Sequence, residues 1–290
     1  MIKKIFAAVL GLSLFLCSIC AAYAPPESMY VTMLNVGQGD AFLVETPTQN
    51  ILIDTGDVSA REQLIAELKK AGVTRLEKII LTHAHSDHIG GVMAVLKNFP
   101  VDQILDNGFY STNPLYKKYH AANVKFSSLR AGNVLDLGGG IYFEVLWPNS
   151  KVGYTNINNQ SIVGRLVYEE CSVLFTGDAE RAVEKELLEN DLQDIQATVL
   201  KAGHHGSRTS NSSKFVKTVK PQYILISAAL GNPYGHPHRQ PLKNFLKVVP
   251  SENIFCTAFN GTVRLEFESG DECEACPEIN IDWVDAYLEE

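Results

Sequence analysis

Between Leu81 and Gly91 the chain reads LTHAHSDHIGG, which places His83, His85, Asp87 and His88 within six residues, directly after the apolar run KIIL and before two glycines. Neutral imidazoles suit zinc and related divalent metals, and a carboxylate adds charge that stabilises a second cation nearby. Past a strand end, alternating positions send His83 and His85 to one side, and the following turn brings Asp87 and His88 to a neighbouring position. The quartet can therefore feed two ions rather than one. A polar surface loop that happens to be rich in histidine does not account for that spacing.

A two-ion site needs ligands from elsewhere in the chain. Asp178 closes the run LFTGD after Gly177, where a bridging carboxylate would be presented, although alone it reads equally well as a helix cap. His204 and His205 follow the apolar run ATVLKAG and precede Gly206 and Ser207. With His236 of YGHPH, six of the eight histidines sit at strand ends or in Gly/Pro loops, a distribution that argues for a site. Ser207, Arg208 and Thr209 are candidates to bind substrate oxygens, and His236 to donate to a leaving group. Arg208 reads equally as a solvated charge.

The elements that must hold these residues are mostly short and β-rich. MYVTMLNV, DAFLVET, NILIDTG, KIILT, IYFEVLW, SIVGRLVYE, CSVLFTGD, ATVLKAG, YILIS and TVRLEFE are each rich in Val, Ile, Leu, Phe or Tyr and end near Gly, Asp, Asn or Pro. Helical spacing appears between them. SAREQLIAELKKAG carries Leu64, Ile65 and Leu68 with Gly72 as a stop, and DAERAVEKELLEN repeats the pattern with Val183, Leu187 and Leu188. No repeat or low-complexity linker divides the chain, so the expectation is one α/β domain of two packed sheets with helices outside.

Composition excludes disorder: the chain is 46% hydrophobic and 20% charged. Ten Asp/Glu and no Lys/Arg fall between Glu266 and the C-terminus, so the charge of −8 reflects an acidic tail, assigned to 268–290, on a body near neutrality. A neutral body gives bulk charge no part in nucleic-acid binding. Residues 1–24, with Lys3 and Lys4 before an apolar run and small residues to Ala24, read as a secretory signal, with retention as an N-terminal anchor the alternative. The expected location is secreted or periplasmic, with no stable membrane span in the mature chain. Beyond the signal lie Cys171, Cys256, Cys273 and Cys276; a zinc knuckle at CEAC lacks a second ligand pair, so a local disulfide is expected there.

The ordered set NVGQGDAFLVET, ILIDTG, THAHSDH, NNQSIVGRL, LFTGDAE, LKAGHHGSRTS and NPYGHPH resembles the metallo-β-lactamase superfamily, and within it the soluble hydrolase domain of ComEC-type competence proteins. The resemblance runs over residues 29–267. It implies an αββα sandwich of two mixed sheets with two divalent ions, zinc or manganese, at one edge. His83 and His85 would hold the first ion, Asp87, His88 and one of His204/His205 the second, and Asp178 would bridge. Asp87, Asp178 and His236 become the catalytic candidates, and Asp40 and Asn159 the residues that brace the ligands, with Asn158 and Ser161 beside them in the Asn-rich segment. The wider superfamily usually adds a histidine between the quartet and the bridging aspartate. Here only His120 lies in that interval, in the helical context LYKKYHAAN.

The function this implies is an exported metal-dependent hydrolase whose ions generate a hydroxide nucleophile at neutral pH and neutralise charge on a phosphoryl oxygen. Phosphodiesters are the favoured substrates, nucleic acid staying open as a partner. The alternatives are a hydrolase of esters, thioesters or lactams, and a non-catalytic metal-bearing module of a DNA-uptake or envelope complex.

Overall fold

All ten of those apolar runs form strands, and alternation along them separates two buried faces. Val173 and Phe175 point into the space between two sheets while Leu174 points away; Leu225 and its neighbours Ile224 and Ile226 divide in the same manner. The computed structural model describes residues 28–149, 155–190, 194–268 and 272–289. The expected signal segment lies outside them.

The first sheet is built from β1 (Ser28–Met33), β2 (Phe42–Glu45), β3 (Asn50–Ile53), β4 (Leu76–Leu81), β5 (Val101–Asp106) and β6 (Lys125–Ser128). The second takes β7 (Val134–Asp136), β8 (Tyr142–Trp147), β9 (Val163–Tyr168), β10 (Cys171–Phe175), β11 (Val199–Lys201), β12 (Tyr223–Ile226) and β13 (Ile254–Cys256). Then β14 (Val263–Glu268) and β15 (Glu272–Pro277) return to the first, giving the order β15-β14-β1-β2-β3-β4-β5-β6 beside β13-β12-β11-β10-β9-β8-β7. Strands β3 to β6 run parallel, as do β10 to β13.

Three apolar layers hold this together. Met33, Phe42, Phe143, Phe175 and Phe267 fill the space between the sheets. Outside the first sheet, α1 (Arg61–Lys70), α2 (Ser86–Ile89), α3 (Val92–Asn98) and α4 (Pro114–His120) bury Leu64, Leu68, Ile89, Val95 and Tyr119. Outside the second, α5 (Arg181–Glu189), α6 (Ser213–Val219), α7 (Arg239–Phe245), α8 (Thr257–Asn260) and α9 (Val284–Glu289) bury Val183, Phe215, Phe245 and Trp283. The result is the expected αββα sandwich. Within the second sheet, Phe143 of β8 lies over Gly164 of the neighbouring β9, so that a Cβ on Gly164 would lie 2.1 Å from Phe143 Cζ.

Two expectations change. The acidic segment after Phe267, set apart as a tail, is built into the fold: β15 pairs with β14 along its length, and Trp283 and Val284 are buried against the second sheet. Antiparallel pairing and a few apolar anchors outweigh its charge. Cys273 is a free thiol where a local bridge was expected, and the side chain of Cys276 lies outside the described residues. Among the described residues, no helix is long and apolar enough to cross a membrane.

Candidate metal centre

Parallel strands gather their C-terminal ends along one edge of each sheet, and the site lies where these edges meet. β4 releases Thr82 and His83; β10 releases Gly177 and Asp178; β11 releases the turn carrying His204 and His205. Gly177 takes φ +48°, and a Cβ there would approach Ser161 to 2.9 Å, so glycine lets Asp178 turn inward. His204 and His205 adopt φ 50° and 53°, a left-handed conformation that L-residues with side chains rarely adopt. Asn211 holds that turn by accepting from Gly203 N (2.8 Å) and donating to Gly203 O (2.8 Å). Ser210 Oγ donates to Ala179 O (2.8 Å), joining it to the Asp178 loop.

Asp178 sits at the centre. Its Oδ2 lies 3.7 Å from His83 Nε2, 3.3 Å from His88 Nε2 and 3.7 Å from His204 Nε2, and its Oδ1 lies 3.6 Å from His205 Nε2. His205 Nε2 is also 3.3 Å from Asp87 Oδ2, and His83 Nε2 is 3.0 Å from His85 Nδ1. Two sets of potential ligand atoms include Asp178, each within 4.8 Å of one another: His83, His85 and Asp178; and Asp87, His88, Asp178 and His205; a third set, Asp40, Asp54 and His88, does not. Of the two adjacent histidines, His205 joins the second set, while His204 faces Asp178 from outside it, with Nδ1 3.2 Å from Thr209 Oγ1.

The far ring nitrogens are held from behind. His88 Nδ1–H donates to Asp54 Oδ2 (2.7 Å), and His205 Nδ1–H donates to Ser227 O (3.0 Å). Thr82 Oγ–H donates to Asp54 (2.7 Å), leaving its oxygen to accept from His83 Nδ1–H at 3.1 Å. These partners turn the three Nε2 atoms toward Asp178. Asp54, at φ 58°, also accepts from Thr82 N (2.8 Å). Asp40 Oδ1 is 3.3 Å from His205 Nδ1, its Oδ2 is 2.5 Å from buried Lys201 Nζ, and that ammonium donates to Gly177 O (2.7 Å). Asp40 thus lies behind His205. Asn159 is more distant: its Oδ1 accepts from Glu180 N (3.0 Å), bracing the residues after Asp178. Ser161 Oγ accepts from Asp178 N (3.0 Å) and lies 3.3 Å from His83 Nδ1.

The donor set fits cations on two grounds. His88 Nε2, His205 Nε2 and Asp178 Oδ1 are buried without a hydrogen-bond partner although they lie close together, so they converge on shared space instead of pairing with each other. Four buried or largely buried carboxylates, Asp40, Asp54, Asp87 and Asp178, also gather here, and Lys201 pairs with Asp40 and stands 3.9 Å from Asp178. Burial works against charge on His205, yet Asp178 and Asp40 outweigh it and push its pKa up to about 10; Asp178 and Asp54 likewise raise His88 against its burial. Burial together with neighbouring His88 keeps His83 neutral. The carboxylates thus favour positive charge at this place, which bound cations would bring.

The profile of the metallo-beta-lactamase superfamily matches residues 34–228. The chain belongs to that superfamily. It is 33% identical over 261 residues to ComE operon protein 3 of Bacillus subtilis (strain 168), covering 82% of this chain and 33% of the relative. With Competence protein ComA of Neisseria gonorrhoeae it shares 34% over 216 residues, covering 73% of this chain and 29% of that one. The chain thus matches about a third of each relative's length. The metallo-beta-lactamase fold protein YhfI of Bacillus subtilis superposes with a TM-score of 0.53 at 14% identity, over 86% of this chain and 100% of that one, a likeness of fold. The chain is a metallo-β-lactamase-fold hydrolase related to competence proteins, with His and Asp groups that could hold metal ions.

Within this superfamily fold, a cavity of about 250 Å³ opens over the ligands, lined by Gln38, His85, Ser86, Asp87, Asn158, Asp178, His204, His205, Tyr234 and His236. Ser207, Arg208 and Thr209, expected to receive substrate oxygens, do not line it. Ser207 Oγ and Thr209 Oγ1 face each other at 3.1 Å beneath His204, and Arg208 N donates to His238 Nδ1 (3.1 Å). His236 does line it, with Nδ1 unpartnered. Burial, aided by His205 and His204, pushes its pKa down to about 3, which favours a neutral imidazole at the cavity wall. Sequence reasoning missed Gln38, whose buried Nε2 has no partner; the GQGD stretch was its signal. It also missed Asp54 and Lys201, which end apolar runs as Asp178 does.

Proposed function

We propose that this chain is an exported, metal-dependent phosphodiesterase using two divalent ions, zinc or manganese. The observation that carries the reading is the sharing of Asp178 between two converging ligand sets on the floor of a small polar cavity. His83 and His85 would hold one ion, and Asp87, His88 and His205 the other. When bound, the pair would supply an activated water and offset negative charge on the phosphoryl group. Gln38 Nε2 is placed to donate to a substrate oxygen, and neutral His236 to hydrogen-bond the leaving oxygen. Asp54, Thr82, Ser227 and Asp40 keep the imidazoles oriented. Export rests on the Lys3-Lys4, apolar and small-residue pattern of residues 1–24.

The test is metal analysis of purified protein with a chromogenic panel. Up to two divalent ions per chain and cleavage of bis(p-nitrophenyl) phosphate, abolished by a chelator, are expected. A chromogenic β-lactam should stay intact. Rapid lactam cleavage with an inert phosphodiester would move the chain to the lactam reading; inactivity on the whole panel with both ions bound would leave a binding module.

A further inference from the structure

One segment departs from the charge of the whole. From Asn107 to Arg130 there is no Asp or Glu, while Lys117, Lys118, Lys125 and Arg130 alternate with Phe109, Tyr110, Tyr116, Tyr119 and Phe126. In the fold these residues form a connected ribbon. Ring centroids run Tyr110 to Tyr116 at 5.9 Å, Tyr116 to His120 at 4.0 Å and His120 to Phe126 at 4.1 Å. The Arg130 guanidinium lies 4.6 Å over Phe109. Tyr110 touches Tyr116 at one edge and is otherwise 74% exposed. Lys117, Lys118 and Lys125 of the same segment are exposed.

The ribbon is tied to the metal centre. Asn113 Nδ2 donates to Ala84 O (2.9 Å), between His83 and His85, and Asn107 Nδ2 donates to Thr82 O (3.1 Å). The carboxylate beneath it, Asp106, is buried and takes Gly108 N (2.7 Å), Tyr119 Oη (3.1 Å) and His120 Nε2 (3.1 Å), which leaves the outer face basic. Tyr234, 61% exposed, lines the cavity itself, stacked on His236 at 5.6 Å.

We propose that residues 107–130 form a docking surface for single-stranded nucleic acid, which carries the strand to the metal centre. This rests on the phosphodiesterase reading and narrows its substrate class. Lysines at the ribbon's edge match phosphates, and exposed tyrosine faces match unpaired bases. Duplex DNA, whose bases are already stacked, offers Tyr110 nothing along its length. A polyanion without bases uses the lysines alone.

The experiment is an anisotropy titration of the full, metal-loaded chain with a fluorescein-labelled oligo(dT) of about 20 nucleotides, alongside bis(p-nitrophenyl) phosphate turnover. Tyr110→Ala should weaken oligo(dT) binding about tenfold, and Tyr110→Phe should keep it. Lys117→Gln with Lys118→Gln should weaken it and flatten the salt dependence by about 1.4 in the log–log slope, as for two lost single-strand phosphate contacts. All variants should retain turnover of the small phosphodiester. Unchanged oligo(dT) affinity in both the tyrosine and lysine variants overturns the proposal, as does displacement by polyphosphate as effective as by oligo(dT) with no effect of Tyr110→Ala. A wild-type chain inert toward the small phosphodiester yet binding oligo(dT) through Tyr110 would break the phosphodiesterase reading and leave the surface standing.

Discussion

Two buried carboxylate–histidine clusters lie at the ends of adjacent strands, and they have opposite chemistry. β4 and β5 pair with Leu81 opposite Asp106, so the residues releasing His83 stand beside those releasing Asp106. Around Asp106 each oxygen has donors: Gly108 N at Oδ1, and Tyr119 Oη and His120 Nε2 at Oδ2. Around Asp178 the count does not close, and His88 Nε2, His205 Nε2 and Asp178 Oδ1 have no hydrogen-bond partner. Residue type does not separate the two. What marks a ligand site is a set of buried lone pairs directed at common space, because a purely structural cluster has every reason to pair them internally.

The largest expected effect breaks the open cluster. Asp178→Asn keeps the shape of the side chain and removes the charge shared by both ligand sets. Turnover should fall by at least about two orders of magnitude and bound metal should drop, with the fold retained by circular dichroism. Asp87→Ala should act in the same direction. Wild-type turnover and full metal content in Asp178→Asn would return Asp178 to the role of a residue before a helix.

One layer back, Asp54→Asn sharpens the comparison. Asp54 touches no proposed ion; it holds His88 Nδ1 at 2.7 Å and the Thr82 hydroxyl at 2.7 Å. Weakening the acceptor behind His88 should lower metal affinity by about 10- to 100-fold, read by competition with a chromogenic chelator. Unchanged affinity would mean that His88 is oriented by packing alone.

How far the sequence revealed this division depends on whether the information was local. The quartet is contiguous, and the strands that present Asp178 and His205 are apolar runs ended by glycine, so most ligand candidates and the sandwich itself could be read from the residues. The choice between His204 and His205 could not, since both take left-handed backbone and only the tertiary turn decides which Nε2 reaches Asp87. Asp54, Gln38 and Lys201 acquire their roles through partners 34, 191 and 161 positions away, His88, Ala229 and Asp40. β15 was hidden by its acidity, because its strand character comes from β14. The basic ribbon was hidden by averaging: a neutral body conceals an acid-free stretch.

The closed cluster makes the complementary prediction. Asp106→Ala strips the acceptor from Gly108 N, Tyr119 Oη and His120 Nε2 at once. Stability should fall by about 1–3 kcal/mol, measured by chemical denaturation, because buried donors lose their partner. Metal content should be unchanged. A loss of bound metal with intact folding would show that the two clusters are one.

His120 supplies the smallest effect and the sharpest test of the boundary. It is the one histidine between the quartet and Asp178, the interval in which the wider superfamily usually places another ligand. Here its Nε2 lies 3.1 Å from Asp106, its ring packs on Tyr116 and Phe126, and it belongs to neither converging ligand set. Its side chain is 28% exposed, so water can replace part of what it gives Asp106. Asp106 would keep Gly108 N and Tyr119 Oη. His120→Gln should therefore cost about 1 kcal/mol or less, with metal stoichiometry and small-phosphodiester turnover as in wild type. If the substitution instead removes one ion, the imidazole must swing from Asp106 to the centre on metal binding, and the closed cluster is a reservoir for the open one.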